Sequence, residues 1–383
     1  MIKGKTVSSR INRTAAITYF AIVVVFVLIK VLNHYGVMDF LGSDGKMLLS
    51  GGMQIVLFGF IPMLAMGLSL KQKPLEVARF YGHKKISWKG LILSVLIGIV
   101  VYILNVFLTS FVSTFLASWG YSSGASALTA FPVELLIIEL IFVAVLPAIC
   151  EETSHRGMLL GGLSAGRKRS SAIFLSSLMF GLMHCNIAQF FHATVIGLLL
   201  AYIVSVSENI YPAIIIHFMN NALSVVMSYS RFHGLGLDFI SSYTFDFINN
   251  NFLLGIVFAI ALIIILLVIL KFLVNRLFKT TILKQLNDLN KRILIEIERD
   301  DYFENMESII KTGQIYKPSE LEDFARFKAL FYHFGKEYGF TSKIKTAVGD
   351  EPMVRDKIAT AFYVTSFVIL GIMTILSFVW GVI

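Results

Sequence analysis

Charge is scarce in this chain. Asp, Glu, Lys and Arg make up 15% of its 383 residues, where a soluble domain carries about 25%. Hydrophobic residues reach 56% and the mean hydropathy is +0.77, so an ordinary soluble enzyme is excluded. Cysteine is nearly absent. Cys150 and Cys185 are the two present, both in apolar runs, which excludes a disulfide framework and reads each as a small apolar filler. Gly-x-Ser-x-Gly occurs as a string at 120–124 and 162–166. Each lies beside an apolar helical run with no strand before it, so neither reads as a nucleophile elbow, and no Ser-His-Asp pattern competes. His-Glu-x-x-His, the common helix-borne zinc signature, is also missing. There is no internal repeat and no low-complexity tract. The formal net charge is +9, but the basic residues lie in short loops between apolar runs rather than in a stripe with interleaved aromatics. Nucleic acid is therefore not an expected partner.

What fills the chain instead is a series of apolar runs near the roughly 20 residues a helix needs to cross a bilayer. About nine are expected, at 14–33, 48–70, 89–115, 131–150, 171–188, 190–206, 210–229, 251–274 and 358–382. The fold class is all-α, a polytopic bundle of membrane-spanning helices. The basic stretch Met1–Arg13 precedes a run too long for a signal-peptide core, so the first run reads as a retained span. Lys71, Lys73, Arg79, Lys84, Lys85 and Lys89 follow the second span. Arg167–Arg169 follow the fourth, and Lys271, Arg276, Lys279 and Lys284 the eighth. The alternate loops hold only Lys46 and Arg231. This alternation places the N-terminus in the cytoplasm and, after nine spans of a cell membrane, the C-terminus outside.

The chain divides into N-terminal spans (1–130), a core (131–229), an outer loop with span eight (230–274), a charged cytoplasmic segment (275–356) and a last span (357–383). The charged segment carries one helical stripe at Ile282, Leu286, Leu289, Ile293 and Ile297. A second, at Phe324, Phe327, Phe331, Phe334 and Tyr338, follows a capping box at Ser319 and Glu322. Loops are expected at Gly313–Pro318 and Gly349–Pro352. Such helices pack on each other, lie on lipid or receive a partner protein.

Three stretches of the core place acid, base and amide groups in otherwise lipid-facing sequence: Glu151-Glu152-Thr153-Ser154-His155-Arg156, Phe180-Gly181-Leu182-Met183-His184 and His217-Phe218-Met219-Asn220-Asn221. An ionisable group at bilayer depth costs about 2.5–3.5 kcal/mol on insertion scales, so a chain that keeps several is using them. Glu152 and Arg156 are i, i+4 and form the ion pair that makes both tolerable. Glu151 lies about 100° around the helix from Glu152 and faces elsewhere. Glu151 and His184 each lie about 22–24 Å along their helices from the Arg167–Arg169 anchor, at similar depth. His217 and Asn221, again i, i+4, aim at one target. A carboxylate with an imidazole can hold and deprotonate a water, and imidazole and amide N–H groups can stabilise the oxyanion of a hydrated carbonyl. The set fits hydrolysis by an activated water. Intramembrane Glu, His and Arg also mark transporters, but those usually show repeat symmetry, which is missing.

The order Glu-Glu-x-x-x-Arg, Phe-x-x-x-His, His-x-x-x-Asn resembles the CPBP family of type II CAAX prenyl proteases and bacteriocin-processing enzymes, also called the Abi family, over about residues 131–229. The resemblance implies an intramembrane endopeptidase acting on peptides, bacteriocin precursors or membrane-anchored proteins. Glu151 and His184 would activate water, His217 and Asn221 would form the oxyanion site, and Glu152 and Arg156 would support them. It implies no certain cofactor. Glu with two His is also a reasonable zinc set, and zinc is kept as the less favoured alternative. A catalytically silent scaffold, immunity or regulatory protein acting through segment 275–356 is the other reading. The Ile, Lys and Asn usage fits a low-GC bacterium and so favours peptide precursors over prenylated proteins.

Overall fold

The computed structural model describes residues 2–122, 132–237, 239, 252–297 and 356–382. They form helices, with no strand among them: α1 (Ile2–His34), α2 (Asp39–Leu70), α3 (Pro74–Phe80), α4 (Trp88–Ala117), α5 (Val133–Gly166), α6 (Arg169–Met183), α7 (Ile187–Ser207), α8 (Tyr211–His233), α9 (Phe252–Ile297) and α10 (Lys357–Val382). Eight contain a stretch long and apolar enough to cross a bilayer; α6 is apolar but only 15 residues long. The protein is a multi-pass membrane bundle, and the nine expected runs correspond to these nine helices. Large apolar side chains such as Leu28, Phe111, Val268 and Ile375 point outward, as a lipid-facing surface requires. Two compact units are distinguished, Met1–Leu277 with Val354–Ile383, and Phe278–Met353. The first stripe of the charged segment continues α9 as helix to Ile297. The second stripe and both expected loops lie outside the described residues.

Helix α5 runs through the middle of the site and is not uniformly α-helical. Wider π turns occupy Leu140–Val145 and Thr153–Leu159, on either side of Leu146–Glu152. The first has a covalent cause. An α-helix would pair the Val143 carbonyl with the N–H of residue 147, which is proline and has none. The turn widens, with the Leu146 N–H reaching the Ile141 carbonyl. Such π turns often occur at functional sites. The helix runs past the apolar run expected at 131–150 to Gly166, and Gly162 serves packing: a Cβ there would overlap that of Ala15 on α1 and sit 2.8 Å from the Tyr363 hydroxyl.

Helix α6 spans about 22 Å at 1.5 Å per residue, short of the ~30 Å hydrocarbon core. Helix α6 by itself is therefore too short to cross it. Sequence reading put the break between α6 and α7 near Gln189; it falls at His184–Asn186. Cys185 adopts the left-handed conformation, φ 49°, that ends α6, and the Asn186 side chain caps α7 by accepting the Gln189 N–H at 3.0 Å. The next exposed donor, the Ile187 N–H, is taken by Ser377 Oγ of α10 at 2.9 Å. Irregular backbone among apolar helices needs such partners, and α10 supplies one.

Helix α10 is tied to α1 at its start. Asp356 caps it, accepting the N–H groups of Ile358 and Ala359 at 3.0 and 3.1 Å, and also takes hydrogen bonds from Ser9 (2.9 Å) and Arg13 (3.0 Å). Burial alone would raise this carboxyl's pKa, but the Ala359, Ser9 and Arg13 hydrogen bonds and the Arg13 charge together hold it below the usual carboxylate value. A depressed native pKa gives stability that is present above the unfolded value of about 3.9 and is lost as pH falls through the native one. The melting temperature of the wild type should therefore fall at acid pH by an increment missing from Asp356→Asn. Parallel melting curves for the two proteins from neutral pH to about pH 3 would refute this contribution.

Candidate active site

The three polar stretches converge on one aromatic ring. Phe180, buried on α6, has the Arg156 guanidinium over its face at 4.2 Å and meets the imidazoles of His155, His184 and His217 edge-on, with centroids at 5.0, 5.4 and 5.8 Å. The Phe-x-x-x-His spacing produces this because residues four apart share a helix face, so Phe180 lies directly beneath His184. Gly181 lets α7 approach. A Cβ there would overlap Thr194 Oγ1 and come within 2.8 Å of the Phe190 carbonyl. Gly181→Ala should force α6 and α7 apart and cost about 1–3 kcal/mol, seen as a lowered unfolding midpoint in detergent; an unchanged midpoint would show that the contact yields freely.

Glu152 is sealed from solvent. Its Oε1 accepts from Arg156 at 2.7 Å and from His217 Nδ1 at 2.9 Å, with side-chain exposures of 0%, 1% and 7% for Glu152, Arg156 and His217. The expected Glu152–Arg156 pair is present, and His217 joins it. Arg156 also donates to the Gly197 carbonyl of α7 at 3.3 Å. A carboxylate accepts, so His217 Nδ1 carries the proton, and Nε2 is the nitrogen left to face a reacting group.

Glu151, one residue earlier, points elsewhere and is half-buried. Its Oε1 accepts from Gln54 Nε2 on α2 at 2.8 Å. The carboxylate lies within electrostatic range of His217, Glu152 and Arg156. His184 is half-buried too, within range of His217, Arg156, His192 and Lys30. No hydrogen bond or ion pair joins Glu151 to His184 directly. On the flank of α5 toward Arg167–Arg169 the chain is closed. Residues Glu152–Leu160 are buried, and a Cβ on Gly157 would sit 2.7 Å from the Tyr81 ring, which is fixed by its hydroxyl on the Pro62 carbonyl at 2.7 Å.

Asn221 is oriented by a chain of amides. The Val143 carbonyl, freed of its ordinary helical partner by Pro147, can only accept, so Asn221 turns Nδ2 toward it at 3.0 Å. Its Oδ1 then accepts from Asn220 Nδ2 at 3.0 Å, Asn220 Oδ1 from Asn105 Nδ2 at 3.2 Å, and Asn105 Oδ1 from Thr109 at 3.3 Å. The second Nδ2 hydrogen of Asn221 is left for a ligand. His155, four residues after Glu151, holds the Glu151 carbonyl through Nδ1 at 3.0 Å, and its Nε2 meets the Tyr19 hydroxyl at 3.4 Å. Both its nitrogens are committed to the scaffold, and it positions the turn that bears Glu151. Gln54, Asn105, Asn220, His155 and Tyr19 were not among the expected site residues. An amide in an apolar run was the one available signal for Gln54 and Asn105.

A zinc set of Glu151, His184 and His217 is not assembled. No group of three His, Cys, Asp or Glu among the described residues is arranged to hold a metal ion.

Residues 133–223 match the family model of the type II CAAX prenyl endopeptidases, Rce1-like. The chain carries an Rce1-like domain. The matched stretch holds all six expected residues, from Glu151 to Asn221, and at family level it supports an intramembrane CAAX-type protease, a reading in keeping with the CPBP resemblance. Gln54, Asn105, Tyr19 and α10 lie outside it. No curated protein and no solved structure matches the chain.

Proposed function

We propose that the Rce1-like domain hydrolyses a peptide bond within the membrane, using Glu151 as general base. The observation that carries this is the division of labour between two adjacent carboxylates. Glu152 is sealed in a triad with Arg156 and His217, while Glu151 is half-buried and retains an oxygen for a ligand. Two carboxyl groups whose surroundings differ this much are suited to different tasks.

A water accepts a hydrogen bond from a His184 N–H and donates one proton to Glu151. Its oxygen adds to the scissile carbonyl carbon, and the carbonyl π pair moves onto oxygen. The imidazolium form of His217, through Nε2–H, and the second amide hydrogen of Asn221 donate to that oxyanion. Glu151 then passes the proton to the departing nitrogen as the C–N bond breaks. Glu152 fixes the His217 ring, as a buried carboxylate does for a catalytic imidazole. The substrate class is a membrane-anchored chain, either a prenylated CAAX peptide or a peptide precursor. The N-terminus and the Arg167–Arg169 end face the cytoplasm, and the charged segment 275–356 is available there to a partner protein.

Peptides released by cells carrying the wild type and Glu151→Gln test the reading. Uncut precursors should accumulate in membranes of the variant while their products disappear. Identical peptide sets would overturn it in favour of a silent scaffold.

A further inference from the structure

We infer that Gln54 is a clamp on the reacting centre, a residue that holds the Glu151 carboxylate with one end of its amide and the attacking water with the other. The inference rests on the proposed role of Glu151. Gln54 lies on α2, outside the matched domain, at the first position of the π turn Gln54–Phe60. Its Nε2 donates to Glu151 Oε1 at 2.8 Å. An ionised carboxylate only accepts, so this fixes the amide: Nε2 toward Glu151, Oε1 away. Gln54 Oε1 is buried and has no partner within the protein. A buried acceptor without a partner is costly, and here it sits on the same planar group that grips the base.

A water at this place has two hydrogens to direct. One goes to the remaining oxygen of Glu151, which takes it as a proton. The other goes to Gln54 Oε1 and stays on the oxygen that attacks. One lone pair of that oxygen receives the His184 N–H, and the second forms the bond to carbon. Both hydrogens and both lone pairs are assigned, and the nucleophile is held in one orientation. Such orientation contributes to the rate rather than to substrate binding.

Gln54→Met keeps the length of the side chain and removes both polar ends; Gln54→Asn keeps the amide but shortens its reach. With the full chain in liposomes, infrared difference spectra assign the carbonyl stretch of protonated Glu151 by its loss in Glu151→Gln. In Gln54→Met this band should move to higher frequency as its hydrogen bond is lost. Turnover of a fluorogenic prenylated CAAX peptide should fall about tenfold to a hundredfold at unchanged KM, and Gln54→Asn should behave alike if the methionine variant does not fold. A shifted band with no cleavage by the wild type of this peptide or of the precursors that accumulate with Glu151→Gln would leave the carboxylate contact standing and remove the endopeptidase reading. An unmoved band, or a change in KM alone, would overturn the clamp.

Discussion

Glu151→Gln should leave a folded protein that binds its peptide and does not cut it. The amide has the shape of the carboxylate, and its oxygen can still accept from Gln54, so the contact between α2 and α5 survives. What it cannot do is take a proton. General-base catalysis by a placed side chain is worth about 10²–10⁴ in rate, and the other nearby carboxylate cannot substitute, because Glu152 is sealed and committed to Arg156 and His217. The expected result is a fall in kcat of that size, with KM and the unfolding midpoint near those of the wild type. The measurement is turnover of a prenylated CAAX peptide and of any precursor found in cells, in the same liposomes. Turnover at the wild-type rate would take Glu151 out of the chemistry.

Much of this site could be read from the chain because the relevant distances are short in sequence. Hydropathy and run length locate the spans, since lipid imposes both. Helical spacing pairs Glu152 with Arg156 and stacks Phe180 under His184. The contacts that were not legible are long-range or lie in irregular backbone. Glu152 and His217 are 65 positions apart and Gln54 and Glu151 97 apart, and no periodicity links them. The widened turn ahead of Pro147 has a readable cause in the missing N–H, yet its consequence, a carbonyl offered to Asn221, needs the packing of α8 against α5. The break between α6 and α7 was misplaced by a few residues because its signals are weak. Cys185 in a left-handed conformation is an unusual terminator, and the Asn186 cap is one polar residue in an apolar run. Equal depth sets Glu151 and His184 at a similar height along the bundle but does not fix how the two side chains face, so their separation from each other was not legible.

Arg156→Met should be the most destabilising single change in the site. The guanidinium is 1% exposed and does three things: it pairs with Glu152 at 2.7 Å, donates to the Gly197 carbonyl at 3.3 Å and covers the face of Phe180 at 4.2 Å. Removing it leaves Glu152 buried with His217 as its sole hydrogen-bond partner, because Glu152 Oε2 has no partner in the protein. Breaking a buried ion pair from one side costs about 3–5 kcal/mol, most of it the penalty of the charge left behind. That origin makes a second, sharper prediction. Glu152→Leu combined with Arg156→Met removes the stranded charge along with its partner, so the double variant should be more stable than Arg156→Met alone, although His217 then loses the group that fixes its ring. The cycle of four proteins, unfolded reversibly in mixed micelles, isolates the coupling. If the two losses simply add, the pair is not the unit that holds this part of α5. If the double variant recovers stability but not turnover, the buried charges are kept to orient His217 toward the oxyanion and not to hold the bundle together.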